Sequence, residues 1–99
     1  MKSNFANVID SETPVLVDFY TDWCKPCKML APILKQVNDE IRDGIKIIKI
    51  DVYKNQALTN KYQVRGVPTM LLFKEGKQVC RQFGVLQKAD IVATVTSYN

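Results

Sequence analysis

The residues best placed to do chemistry are Cys24 and Cys27, in the segment Trp23-Cys24-Lys25-Pro26-Cys27. Cysteines at i and i+3 on a helix share one side, so their sulfurs can close a small disulfide ring. Thiol–disulfide exchange needs this arrangement. A first thiolate attacks a substrate disulfide, and a second thiol must be near enough to resolve the mixed disulfide. The segment lies where a strand pattern gives way to a helix pattern. A helix start offers unpaired backbone N–H groups and the positive end of the macrodipole, and both favour thiolate over thiol. Pro26 has no N–H to leave unpaired and a fixed φ, which suits the first helical turn and stiffens the ring.

From the residues alone, two other uses of Cys-x-x-Cys stay open. One is half of a zinc site, although the only further soft ligand is Cys80 and the chain has no histidine. The other is a structural disulfide, which would gain little from so short a loop. The lack of histidine also removes histidine-dependent nucleophilic catalysis. Three cysteines, an odd count, argue against a disulfide-stapled secreted scaffold. Cys80 itself reads as a small packing residue, with a regulatory or dimer-forming thiol as the alternative.

The elements that must position the pair follow from hydropathy patterning. Val15-Leu16-Val17-Asp18-Phe19-Tyr20 is apolar on both faces, as a strand buried inside a sheet should be, and Asp18 interrupts it. A helix is predicted over about 24–42, with Leu30, Ile33, Leu34, Val37 and Ile41 as its apolar stripe. Pro32 falls in its interior and should bend it, and Gly44 is placed to end it. The β-branched run 45–52 is a second strand. Strand, helix and strand in this order form a right-handed unit with parallel strands.

Phe5, Val8 and Ile9 suggest a short first helix capped by Ser3 or Asn4 and ended at Thr13-Pro14. Asn55 is placed to cap another, running through Tyr62. Residues 70–73 and 78–83 read as a hairpin turning at Glu75-Gly76. Ile91, Val92, Val95 and Tyr98 mark a last amphipathic helix. The predicted order, αβαβαββα, is an α/β sandwich: a mixed sheet with helices on both faces.

The remaining bounds are compositional. With 99 residues, one domain over 1–99 is expected. The net charge of +4 is spread along the chain without a basic stripe, so no nucleic-acid partner is expected. No apolar run approaches the roughly 18 residues of a membrane span, so no membrane partner is expected either. Met1-Lys2-Ser3-Asn4-Phe5 leads into no apolar signal region, which favours a cytoplasmic location.

Taken together, residues 15–20, Trp23-Cys24-Lys25-Pro26-Cys27-Lys28-Met29, Ala31-Pro32, Gly66-Val67-Pro68-Thr69 and Gly84 resemble the core of the thioredoxin family, from about Phe5 to the end of the chain. The resemblance implies a thioredoxin fold with a central mixed sheet. It also implies reversible reduction of protein disulfides, recycling by a thioredoxin reductase, no bound cofactor or metal, and a monomer. It assigns roles residue by residue. Cys24 would be the exposed nucleophile and Cys27 the buried resolving thiol. Pro68 would be a cis proline that offers the Val67 backbone to a substrate strand. Trp23, Gly66, Val67 and Gly84 would border the groove.

Asp18 would lie behind Cys27 and trade a proton with it through water, aided by Lys49. The plain alternatives are an exposed strand end for Asp18 and a solvated strand face for Lys49. Three features depart from the family pattern. Lys25 stands where glycine is usual, Tyr53 where an acidic residue is common, and no strand pattern precedes the first helix. Four principal strands are therefore expected, with 45–52 at or near a sheet edge and Lys46 and Lys49 discouraging edge pairing. Lys25 would stabilise the Cys24 thiolate or simply sit in solvent. Two functional rivals remain: an oxidising or isomerising protein of the same fold, and a non-redox binding module using the groove around Trp23 and Val67-Pro68.

Overall fold

A computed structural model describes residues 4–99; the Ser3 cap lies outside them. The elements are α1 (Asn4–Ile9), β1 (Val15–Tyr20), α2 (Lys25–Ile41), a short 3-10 turn (Arg42–Gly44), β2 (Lys46–Asp51), α3 (Gln56–Lys61), β3 (Thr69–Lys74), β4 (Lys77–Phe83) and α4 (Lys88–Thr96). They match the predicted order. The four strands form one sheet in the order β2-β1-β3-β4. β1 pairs with β2 in parallel and with β3 antiparallel, and β3 pairs antiparallel with β4.

The central strands β1 and β3 are buried along nearly their whole length, whereas β2 is half-buried and β4 mostly exposed. This is why β1 and β3 read as continuous apolar runs. β2 is an edge strand, and its Lys46 and Lys49 are exposed. Charged side chains on an edge oppose pairing with another chain.

Alternation along β1 sends its side chains to two different cores. Val15, Val17 and Phe19 join Leu71, Phe73 and Ile9 on one face, where Phe5 of α1 and Leu58 of α3 also pack. Leu16 joins Met70, Leu72, Leu30, Leu34, Val37, Ile91 and Val95 on the other, beneath α2 and α4. Asp18 has the parity of Leu16 and so faces α2. Phe5, Tyr62 and Phe73 meet as a ring cluster with centroids 5.4–5.7 Å apart. Val8 does not join this packing: α1 is short, and Val8 is turned outward.

Two local expectations are revised. α2 ends at Ile41, and Arg42, not Gly44, takes the positive φ of 55° at its C-cap, its N–H donating to the Asn38 carbonyl. Gly44 is needed for a different reason: a Cβ there would come within 2.8 Å of Ile41 Cγ2. Asn55 occupies the N-cap position of α3, yet its amide donates to the Asp51 carbonyl at 3.0 Å and leaves the helix end uncapped by its side chain. The β3–β4 turn is the one expected. Glu75 and Gly76 have φ of 52° and 82°, the paired positive values of a type I′ hairpin.

Candidate active site

The site forms where β1 runs out and α2 begins. The backbone turns at Thr21, whose carbonyl accepts from the Cys24 N–H at 3.4 Å. Cys24 is the N-cap residue of α2, and its sulfur accepts from the Cys27 N–H at 3.1 Å. An N-cap side chain that turns back onto the first helical turn is held over Cys27. The two cysteines form a disulfide with their Cα atoms 5.2 Å apart. Pro26 sits in the first turn. Cys27 extends the buried stripe of α2 to Cys27, Leu30, Leu34 and Val37.

The expected contrast between an exposed Cys24 and a buried Cys27 is absent in this disulfide form: both are 5% exposed. The same N-cap geometry explains this. It turns the Cys24 side chain inward, and its Sγ lies 3.8 Å from the Val67 carbonyl oxygen.

Val67 is presented by the turn before β3. The Val67–Pro68 peptide bond is cis, and Pro68 is fully buried. The Thr69 hydroxyl donates to the Gly66 carbonyl at 2.6 Å, and the Gly84 N–H donates to the Pro68 carbonyl at 2.9 Å. Gly84 has a φ of 93°, a left-handed value that suits glycine. A Cβ on Gly66 would come within 2.7 Å of the Phe83 ring, so glycine allows that ring to lie against the turn.

Several large apolar side chains stay exposed at this end of the molecule. Trp23 is 69% exposed, Tyr53 60% and Phe83 68%. Trp23 and Tyr53 are neighbours, with ring centroids 6.1 Å apart. Together with Thr21, Val52, Arg65, Gly66 and Val67 they line a groove of about 400 Å³. Trp23, Gly66 and Val67 were expected at this groove. Arg65 was not, because only the fold carries it there; Gly84, also expected, does not line it, and Phe83 lies instead with Gln63, Thr69 and Arg81 on a second hollow that shares Arg65 and Gly66. The pairing of Tyr53 with Trp23 explains how an aromatic is accommodated where the family usually has an acid.

On the face of β1 turned toward α2, Asp18 is wholly buried, and neither carboxylate oxygen has a hydrogen-bond partner. Burial raises its pKa from 3.8 to about 6, partly offset by the Lys49 ammonium. Lys49 is the register partner of Asp18 on β2. Its side chain is exposed, as the solvated-face reading held, yet its ammonium lies 4.7 Å from the centroid of the Tyr20 ring. Lys25 is exposed at the first position of α2. Cys80 is half-buried on β4 and packs against the α2–α4 core rather than near the disulfide. Among the described residues no group of three or more His, Cys, Asp or Glu could hold a metal ion. No helix among them is long and apolar enough to cross a membrane.

A redox disulfide at the start of a helix, on a four-stranded mixed sheet, beside a cis-proline turn, defines a thiol–disulfide exchange protein whose redox group is its own cysteine pair. The comparisons agree. The thioredoxin family model matches residues 1–97. A thioredoxin-like protein of Synechocystis is 46% identical over 96 residues, covering 93% of this chain and 91% of that protein. Thioredoxin of Acidithiobacillus ferridurans is 44% identical over 91 residues, covering 92% and 84%. A mutant thioredoxin from Halobacterium salinarum superposes with a TM-score of 0.89 at 38% identity, covering 99% of this chain and 85% of that one. The chain belongs to the thioredoxin family and is a dithiol–disulfide oxidoreductase.

Proposed function

We propose that this protein, acting as a single domain and a monomer in the cytoplasm, carries reducing equivalents from a thioredoxin reductase to disulfides in target proteins. The observation that carries the reading is the Cys24–Cys27 pair capping α2 against the Val67 carbonyl. In the reduced protein the Cys24 thiolate attacks one sulfur of the target disulfide. A Cys24–sulfur bond forms, the target S–S bond breaks, and the first target sulfur leaves as a thiolate. Cys27 then gives its proton to Asp18, through water, and the new thiolate attacks Cys24 Sγ. The mixed disulfide breaks, the Cys24–Cys27 bond forms, and the second target sulfur leaves. Two electrons have passed from the protein to the target, and both target thiolates take up protons.

Asp18 suits this role because it lies on the sheet face covered by α2, where Cys27 is buried, and it is ionised above about pH 6. Trp23, Gly66 and Val67 border the groove in which the target strand lies, with Pro68 fixing the turn and the Gly84 N–H bonded to its carbonyl. The test uses trapping. Cys24→Ser should abolish reduction of a protein disulfide in a reductase-coupled assay. Cys27→Ser should accumulate mixed disulfides with targets through Cys24. Full biological activity in the double Cys24→Ser, Cys27→Ser variant would instead establish a non-redox binding module.

A further inference from the structure

We propose that Tyr20 is a positioning residue for the proton-transfer apparatus: its ring holds the Lys49 ammonium beside Asp18 and so sets the pH at which Asp18 changes charge. The inference rests on the proton-transfer role of Asp18 proposed above, and it adds the residue that governs it.

Three observations converge. Tyr20 lies two residues beyond Asp18 on β1 and therefore on the same face of the sheet. Lys49 is the register partner of Asp18 on β2, which brings its stem alongside. The Lys49 ammonium lies 4.7 Å from the Tyr20 ring centroid, whereas neither Asp18 oxygen has a hydrogen-bond partner. The lysine therefore acts on Asp18 without being bonded to it, and the contact that fixes its position is the ring. A cation over an aromatic face is attracted by the ring quadrupole.

Without that contact nothing keeps the charge near. Lys49 sits on an exposed edge strand and lines an open groove of about 290 Å³ with Ala31, Leu34, Lys35, Asn38 and Ile47. A long flexible ammonium stem released into such a groove spreads into water, where its field is screened. Few other groups compete for control of Asp18. On β3 its neighbour is Met70, which does not titrate. Of the titratable groups on α2, which are Lys25, Cys27, Lys28, Lys35, Asp39 and Glu40, Cys27 lies on the buried stripe and Lys35 shares the outer groove with Lys49. Besides Tyr20 and Lys49, the titratable groups of β1 and β2 are Lys46 and Asp51, at the two ends of β2.

The experiment follows the Asp18 carboxyl by carbon-13 NMR across pH in the oxidised protein, where Cys27 cannot titrate. Tyr20→Leu and Tyr20→Met should each raise the Asp18 midpoint by about half a unit, the loss of a partly screened opposite charge. Lys49→Met should raise it similarly, and adding Tyr20→Leu to Lys49→Met should raise it no further. Tyr20→Phe, which keeps the ring, should leave it in place. A midpoint unmoved in both the Leu and Met variants, or shifts that add to that of Lys49→Met, overturns the proposal. These titrations do not depend on activity, so they stand apart from the kinetic test of Asp18 itself. An Asp18→Asn variant with wild-type resolution of the mixed disulfide would remove the catalytic role and leave the electrostatic link intact.

Discussion

The two faces of β1 are built from one six-residue strand and obey different rules. On one face Val15, Val17 and Phe19 are wholly buried and pack with Ile9, Leu71 and Phe73, with no ionisable carboxyl among them. On the other, Leu16 is followed by Asp18, a carboxyl at 0% exposure with no hydrogen-bond partner. Buried ionisable groups are costly unless paired. The first face is what stability alone would choose, while the second gives up stability at one position on the side covered by α2. The difference teaches where the strand gives up stability: at one position, on the face covered by the helix that carries the cysteine pair.

The sharpest way to break the comparison is to damage the apolar face. Phe19→Ala removes a fully buried ring and should cost about 3–5 kcal/mol, read as a lower denaturation midpoint in urea. The protein that remains folded should reduce disulfides at the wild-type rate per molecule. A selective loss of rate without loss of stability would show that the two faces are not separable.

Asp18→Asn acts in the opposite direction. Asn resembles the protonated acid, so the variant escapes the cost of a buried charge. Below about pH 4 folded and unfolded Asp18 are both protonated, and the two proteins should be equally stable. Between pH 4 and about 6 the unfolded chain loses its proton while the folded one keeps it, so the stability of the wild type falls as pH rises. Above pH 6 the variant should be more stable by up to about 3 kcal/mol, the free energy of a shift of roughly two units. The same substitution should slow resolution of the mixed disulfide above pH 6 and have little effect below it. Urea denaturation and single-turnover reduction, each followed from pH 4 to 8, check both halves. A stability difference that does not vary with pH would mean that Asp18 is not the titrating group.

How much of this could be read in the sequence depends on how local each feature is. The pair Cys24–Cys27, the run 15–20 and the Glu75-Gly76 turn are short-range patterns, and each was legible. The edge position of β2 followed from the family resemblance, since the family usually has a further strand ahead of the first helix, and the lysines of β2 were consistent with an unpaired edge. Asp18 stood out because a carboxylate inside an apolar run is anomalous at any burial. What was not legible depends on long-range packing. Phe83 lies against the cis-proline turn only because Gly66, seventeen residues away, leaves room for its ring. The inward turn of the Cys24 side chain follows from its capping geometry, which residue type alone does not specify. The Tyr20–Lys49 contact needs the β1–β2 register. Gly44 was read as a helix stop because glycine commonly serves there, whereas here Arg42 takes the positive φ and Gly44 meets a demand for space.

The smallest effect expected is at Lys25, and exposure is the reason. Asp18 and Lys25 are both charged groups close to the cysteines, one buried and the other in solvent. A positive neighbour favours thiolate over thiol, so Lys25 should lower the pKa of Cys24 in the reduced protein. A reduced form stabilised in this way is easier to reach, which makes the pair more oxidising. Water and salt screen an exposed ammonium, so the shift should be about half a unit. A lysine at a helix N-terminus also opposes the macrodipole, a mild penalty with no structural return at an exposed position. Lys25→Gly should therefore raise the Cys24 pKa and make the reduction potential more negative. Glycine also loosens the backbone between the cysteines, but that contribution does not depend on salt. The charge contribution does, because the screening length falls to about 3 Å at 1 M salt. Alkylation rates of Cys24 across pH, in both proteins at low and high salt, separate the two. The difference between the proteins should shrink as salt rises. A Cys24 pKa that is equal in the two proteins, or lower after the substitution, would remove Lys25 from the electrostatics of the site and leave Asp18 as the charge that distinguishes the two faces of β1.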